Sequence, residues 1–120
     1  MDKDKKAVIV DANQMEWTES PNPKIPMSNY SKLLHEDADT GMRITLVLYP
    51  KGFVTKWHKH PCGHGMYVLQ GILKTSEGIC GPGSFIWFEE GIVAEHGATA
   101  ETDVLTLFIT NKEFDISYID

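Results

Sequence analysis

Three of the chain's five histidines fall within seven residues: His58, His60 and His64, in Trp57-His58-Lys59-His60-Pro61-Cys62-Gly63-His64. Side chains two apart on a strand point to the same face, so His58 and His60 project together, as two ligands of one ion must. Pro61, Cys62 and Gly63 form a short turn, and His64 re-enters at the start of the next strand. A neutral imidazole is a good ligand for divalent transition metals such as Zn, Fe, Mn, Ni and Cu. One histidine alone would read as a solvent-exposed loop residue. A His-x-His pair ending one strand, with a third His opening the next, reads as a metal site. His35 stands alone beside Glu36 and Asp37 and reads as a surface or turn residue.

Several neighbours are candidates for supporting roles. Cys62 lies between His60 and His64, and its place in a turn predicts a side chain directed away from the ion. Glu89, Glu90, Glu95 and Glu101 supply acids near His96 that could hold an imidazole in its ligating tautomer, although solvated positions are the simpler expectation. Parity places Met66, Val68 and Gln70 on the same face as His64. Phe85 and Trp87, or else Ile86 and Phe88, face the cavity from another strand, and Arg43, Thr45 and Val47 line the same wall. An inward Arg43 would be a natural partner for a substrate carboxylate.

The elements that must position these residues are strands. Apolar residues recur with period two, and Gly and Pro interrupt them almost to the end of the chain. Arg43 to Tyr49 is rich in β-branched residues and stops at Pro50-Lys51-Gly52; Met66 to Gln70 stops at Gly71. Ser84 to Phe88 lies between Gly81-Pro82-Gly83 and Gly91, and Val104 to Thr110 and Phe114 to Ile119 are further runs. Ala7 to Val10 and Tyr30 to Leu34 are weaker strand candidates. The best helix signal is Asp11 with Gln14 three residues later, enough for about one turn. Short strands with turn signals every 8–12 residues predict an all-β sandwich or barrel. Pro21, Pro23 and Pro26 mark an extended segment expected to wrap over its surface.

The histidine run resembles the first motif of the cupin superfamily, in which Gly, five residues, His-x-His, three or four residues, Glu, six residues and Gly follow one another. Here the series is Gly52, His58-Lys59-His60, His64 and Gly71, with His64 in the place of the Glu. The second cupin motif, Gly, five residues, Pro-x-Gly, two residues, His, is matched loosely by Gly83, Glu89-Glu90-Gly91 and Ala94. His96 lies two residues beyond, which keeps the strand parity if the turn is longer than usual. The stretch Leu33 to Tyr49 resembles cupins of the anti-sigma-factor ChrR type, and His96-Gly97 is similar to a His-Gly of small three-histidine cupins such as acetylacetone dioxygenase. The resemblance covers roughly residues 30 to 110. It implies an all-β fold, a cupin-type double-stranded β-helix or jelly-roll barrel. One domain then spans 1–120, with residues 1–29 as an N-terminal extension to a 30–110 core.

The implied cofactor is one divalent ion per subunit (Fe, Zn, Ni or Mn) on His58, His60, His64 and His96, with Arg43, Met66, Gln70, Phe85 and Trp87 as candidate cavity wall. Four neutral imidazoles leave the site near +2, where a His₃Glu set would leave about +1, so an anionic small molecule is the expected ligand. A dioxygenase-like C–C cleavage comes first among the functions. A non-catalytic ligand- or metal-sensing cupin and a metal-dependent isomerase or decarboxylase are the alternatives. Cupins commonly pair through exchanged strands, which implies a homodimer.

Composition narrows the partners. The 120 residues, 42% hydrophobic and 23% charged, are those of an ordinary globular domain. A formal charge of −6, with 11 scattered Lys and Arg, argues against nucleic acid. The one basic run, Lys3 to Lys6, reads as a frayed, solvated tail. No apolar stretch approaches the roughly 20 residues that cross a bilayer, and the N-terminus lacks a signal peptide's apolar core. The expectation is a cytoplasmic protein whose Cys62 and Cys80 remain thiols.

Overall fold

The computed structural model describes residues 5–119; Lys3 and Asp4 of the basic run lie outside them. Strands dominate. In chain order they are β1 (Thr18–Pro21), β2 (Ser28–Glu36), β3 (Arg43–Tyr49), β4 (His58–Lys59), β5 (His64–Gln70) and β6 (Leu73–Thr75). Then come β7 (Gly78–Cys80), β8 (Phe85–Phe88), β9 (His96–Ala98), β10 (Val104–Thr110) and β11 (Ser117–Tyr118). The one helical element among the described residues is a 3₁₀ turn at Ala12–Gln14, and the Asp11 carboxylate caps it by accepting from Asn13 N–H at 2.9 Å. No helix is long and apolar enough to cross a membrane.

Three antiparallel sheets build an all-β jelly-roll barrel. The largest runs β1-β2-β3-β10-β5-β8, a second runs β7-β6-β9, and β11 pairs with β4. The period-two runs read from the sequence coincide with β3 and β10, whose inward residues are Val47, Tyr49, Val104, Thr106, Phe108 and Thr110. Of these, Val47, Tyr49, Val104 and Phe108 pack with Phe53, Met66, Val68, Leu73, Phe88, Ala94 and Ala98 into one core. Gly52 (φ 83°) closes the turn after β3, where Phe53 N–H donates to the Pro50 carbonyl at 2.9 Å.

The expected strand at Ala7–Val10 does not form. These residues are exposed and unpaired, because an apolar run without a partner edge gains no ladder bonds. The proline segment reaches the barrel mouth: Pro21 ends edge strand β1, where the missing N–H costs no ladder bond, and Pro21 and Pro23 line the cavity described below.

Candidate metal centre

β4 carries His58, and the following residues carry His60. Reciprocal backbone bonds tie His58 to Ala94 at 3.0 and 2.9 Å, and Tyr118 of β11 pairs on its other side. β9 carries His96 and is fixed from two sides. Thr55 Oγ1 accepts from His96 N–H and donates to the His96 carbonyl, both at 3.1 Å, and Ala98 N–H donates to the Phe53 carbonyl at 2.7 Å. The turn after β8, where Gly91 stands at φ 81°, lengthens the approach to β9. Ala94, His96 and Ala98 are all buried, so the two-residue displacement from position 94 to 96 preserves parity.

The result is a buried cluster in which one ring nitrogen from each of His58, His60 and His96 lies within 4.8 Å of the others. His58 Nε2 and His96 Nε2 are 3.2 Å apart. The Nδ1 atoms are held from behind. The Lys56 carbonyl accepts from His58 Nδ1–H at 2.7 Å, and the Asp115 carbonyl accepts from His60 Nδ1–H at 2.5 Å. Tyr49 Oη lies 3.1 Å from His96 Nδ1, and burial pushes its pKa up, so it stays a hydroxyl. The two carbonyl contacts favour the tautomers of His58 and His60 whose Nε2 lone pairs face the cluster.

His64 is the outlying member. Its ring stacks between Phe88 and Phe108, both at 4.8 Å, and lies 4.7 Å from the ring of His60 and 5.8 Å from that of His96. Its two ring nitrogens, and Nε2 of His60, are buried without a hydrogen-bond partner. An orphaned buried polar atom costs about 1–3 kcal/mol, and coordination to an ion removes that cost. The donor set therefore fits a divalent transition metal.

Burial lowers the basicity of every member. His60 is pushed down to about 4 and His64 to about 3, each also opposed by neighbouring imidazoles, and His58 and His96 are lowered for the same leading reason. All four are neutral at neutral pH, as ligation demands. The unfolded chain, with histidines near 6.5, takes up protons before the folded one does. Stability of the metal-free chain is therefore full above pH 6.5 and declines as pH falls from there towards about 4 and then about 3. Chelator-treated protein should show a lower urea midpoint at about pH 5 than at about pH 7.5, and a midpoint that rises on acidification would contradict neutral buried imidazoles.

A cavity of about 360 Å³ opens onto His58, His60 and His96. Thr45, Val47 and Tyr49 of β3 form one wall, with Phe108, Phe114, Ile116 and Tyr118 around the rest. The C-terminal strap roofs it: Phe114 packs on the His60 ring at 4.9 Å, and Asn22 Nδ2 donates to Tyr118 Oη at 3.1 Å.

The fold is that of known proteins. It superposes on a proposed acetylacetone dioxygenase from Methylibium petroleiphilum with a TM-score of 0.81 at 12% identity, over 100% of this chain and 85% of that one. An RmlC-like cupin from Ralstonia eutropha gives 0.77 at 24% identity, over 96% and 73%. The anti-sigma ChrR of Rhodobacter sphaeroides, solved in complex with SigE, gives 0.67 at 17% identity, and the chain covers 83% of itself and 51% of that protein. No curated protein matches the sequence. The family model of the ChrR cupin-like domain matches residues 5–115. The chain belongs to the ChrR cupin-like family.

Of the wall positions named from the sequence, Arg43, Thr45 and Val47 line the cavity of this cupin, whereas Met66, Gln70, Phe85 and Trp87 do not. Arg43 reaches the cavity rim, where its guanidinium pairs with the Glu36 carboxylate and both side chains stay about half exposed. Met66 is fully buried in the core and is not among the cavity-lining residues. Gln70 is exposed because β5 carries a bulge: Leu105 faces Gln70 while Thr106 faces Val68, so Leu69 is the extra residue and parity is lost beyond Val68. Phe85 and Trp87, 54% and 40% exposed, lie on the outside of the barrel, and Ile86 and Phe88 take the inner face. Tyr49, on the same face as Thr45 and Val47, was legible by parity alone. The contributions of Asn22, Phe114 and Tyr118 depend on tertiary return of both chain ends, for which the local sequence carries no signal.

Proposed function

We propose that the chain binds one divalent ion on His58, His60 and His96, with His64 completing the set. It would use the ion to cleave a carbon–carbon bond of a small oxygen-bearing anion in a dioxygenase-like reaction. The observation that carries this reading is the convergence of buried neutral imidazoles, with partnerless nitrogens among them, at the floor of a small cavity. Bound there, an ion such as Fe(II) would supply charge stabilisation for the substrate's oxygens and access to O₂ chemistry.

The chain's own residues do the rest. The Lys56 and Asp115 carbonyls and Tyr49 aim the imidazoles. Val47, Phe108 and Ile116 keep the floor apolar, and Thr45, Asn29 and Ser31 offer hydrogen bonds to a polar ligand. None of the cavity-lining residues is an acid, so no carboxylate repels an anion or neutralises the ion's charge. The likeness to the Methylibium protein supports a diketone-type substrate.

The test is metal analysis of protein purified without chelator or added metal, followed by O₂ uptake of the Fe(II)-loaded chain with a 1,3-diketone. Stoichiometric iron and substrate-dependent O₂ consumption are expected. Stoichiometric zinc with no O₂ uptake would sink the oxygenase reading and favour the sensor reading, which the ChrR family match supports, or Lewis-acid chemistry.

A further inference from the structure

The polar side chains that line the cavity divide into two groups. Tyr49 and Thr55 are bonded to His96, Thr110 Oγ1 accepts from Arg43 N–H at 2.9 Å, and Asn22 is bonded to Tyr118. Ser20, Asn29, Ser31 and Thr45 line the same cavity, yet their side chains make no hydrogen bond to any described residue. Register sets them on one inner wall. Val47 and Tyr49 are buried inward on β3, so Thr45 faces inward by parity. Ser31 of β2 stands opposite Val47, Asn29 lies two residues before it, and Ser20 of β1 stands opposite Asn29. Directly opposed residues of an antiparallel pair share a face, with Cβ atoms about 4.5–5.5 Å apart. His58 and His96 belong to the two smaller sheets, so the polar patch and the metal site meet the cavity from different sheets.

Asn29, Ser31 and Thr45 are half-buried and Ser20 is exposed. Polar groups in that position are satisfied by water, and a ligand that displaces the water must reproduce its hydrogen bonds. Each of these side chains both donates and accepts, and none is charged. The charged side chain among the lining residues is Arg43, and its guanidinium is paired with Glu36 at the rim. A carboxylate on this wall would lose hydration without meeting a free cation, and a methyl group would strand the donors.

We propose that this wall selects a ligand whose end distal to the ion carries a neutral hydrogen-bonding group, a hydroxyl or a carboxamide, with Asn29 as its principal partner. The selection rests on the reading that the ligand coordinates an ion held by the histidines, and it specifies the ligand's other end. Negative charge belongs at the ion, and the neutral polar group belongs against Asn29, Ser31 and Ser20. Asn29 leads because its side chain alone offers two N–H donors together with an acceptor oxygen, enough to bond a carboxamide through both its N–H and its carbonyl.

Three hydroxamates of equal length test the assignment on the Zn(II)-loaded full chain, zinc being suitable because it has no redox chemistry. Each carries the same chelating head on a two-carbon spacer, which ends in a carboxamide, an isopropyl group or a carboxylate of nearly the same shape. Titration calorimetry is expected to rank the carboxamide first, at least about 10-fold tighter than the isopropyl probe, as two neutral hydrogen bonds give. The carboxylate should bind no tighter than the isopropyl probe. Asn29→Leu should cut the carboxamide's lead to about threefold or less. Metal content and affinity for the isopropyl probe should stay near wild type, a split that a merely structural loss would not produce. If Asn29→Leu fails to fold by circular dichroism, Ser31→Ala reads the same wall and should lower the lead about threefold. Equal affinity for the carboxamide and isopropyl probes, a carboxylate that binds tightest, or a lead undiminished in a folded variant overturns the proposal and leaves the metal site standing. If no probe binds the loaded chain more tightly than the metal-free chain, the metal-site reading falls and the proposal falls with it.

Discussion

Replacing His58 and His60 together with Ala is expected to leave a folded barrel that carries no stoichiometric divalent metal. Both imidazoles belong to the group whose nitrogens lie within 4.8 Å. Losing a residue that merely orients a ligand costs about 10–100-fold in metal affinity, so losing two ligands should cost on the order of 10⁴-fold or more. The barrel should survive, because β4 is only two residues long and is held by backbone bonds to Ala94 and β11 that the substitutions leave in place. Elemental analysis after gel filtration, with circular dichroism as the folding control, reads the outcome; full occupancy in a folded variant would sink the assignment. Single variants rank the other two histidines. His96→Ala should weaken binding at least about 100-fold, the upper end of the cost of losing a residue that only orients a ligand. His64→Ala should weaken it less, since His64 stands outside the closest group and is braced by Phe88 and Phe108. An affinity for His96→Ala within a few-fold of wild type would remove His96 from the site.

Along the chain the tight group is His58, His60 and His64, whereas in space it is His58, His60 and His96, and the reason is physical. His58, His60 and His64 are close along the chain, so their proximity was visible, whereas His96 joins them only when β9 folds back beside Thr55. Parity gave β3 its inward face at Thr45 and Val47 because the strand is regular. It failed at Gln70, where a bulge inserts one residue, a feature that no residue type in Val68-Leu69-Gln70 announces. On β8 the four apolar residues Phe85–Phe88 alternate with nothing polar, so period two could not choose a face. The deciding clue lay on and just before the neighbouring strand: Gly63 and Gly65 leave room outside the barrel for the Trp87 and Phe85 rings. The β6–β7 hairpin went unread because three-residue strands around Ser76-Glu77 are too short for a periodic signal.

Gly97→Ala is expected to be the most damaging single methyl group that can be added near the site. A Cβ at this position would stand 2.0 Å from the Phe53 carbonyl oxygen and 2.6 Å from Val54 Cα. Both neighbours are backbone, so no side-chain rotation relieves the overlap. Nor can β9 retreat easily: Gly97 pairs with Lys74 of β6 on one side and bridges Val54 on the other, and Ala98 N–H is bonded to the Phe53 carbonyl at 2.7 Å. The chain must either break that bridge or shift the strand that carries His96. Overpacking of this kind costs typically ~1–3 kcal/mol and more where backbone must move, so a loss of about 3 kcal/mol or greater is expected, with metal affinity falling because His96 moves with the strand. Gly81→Ala is the control, since its nearest contact would be Ile72 Cδ1 at 3.8 Å, an ordinary van der Waals distance; its effect should stay within about 0.5 kcal/mol. Urea unfolding of both variants, with and without bound metal, makes the comparison. A Gly97→Ala midpoint equal to that of Gly81→Ala would mean that β9 does not press against residues 53–54, and the placement of His96 beside His58 would fall with it.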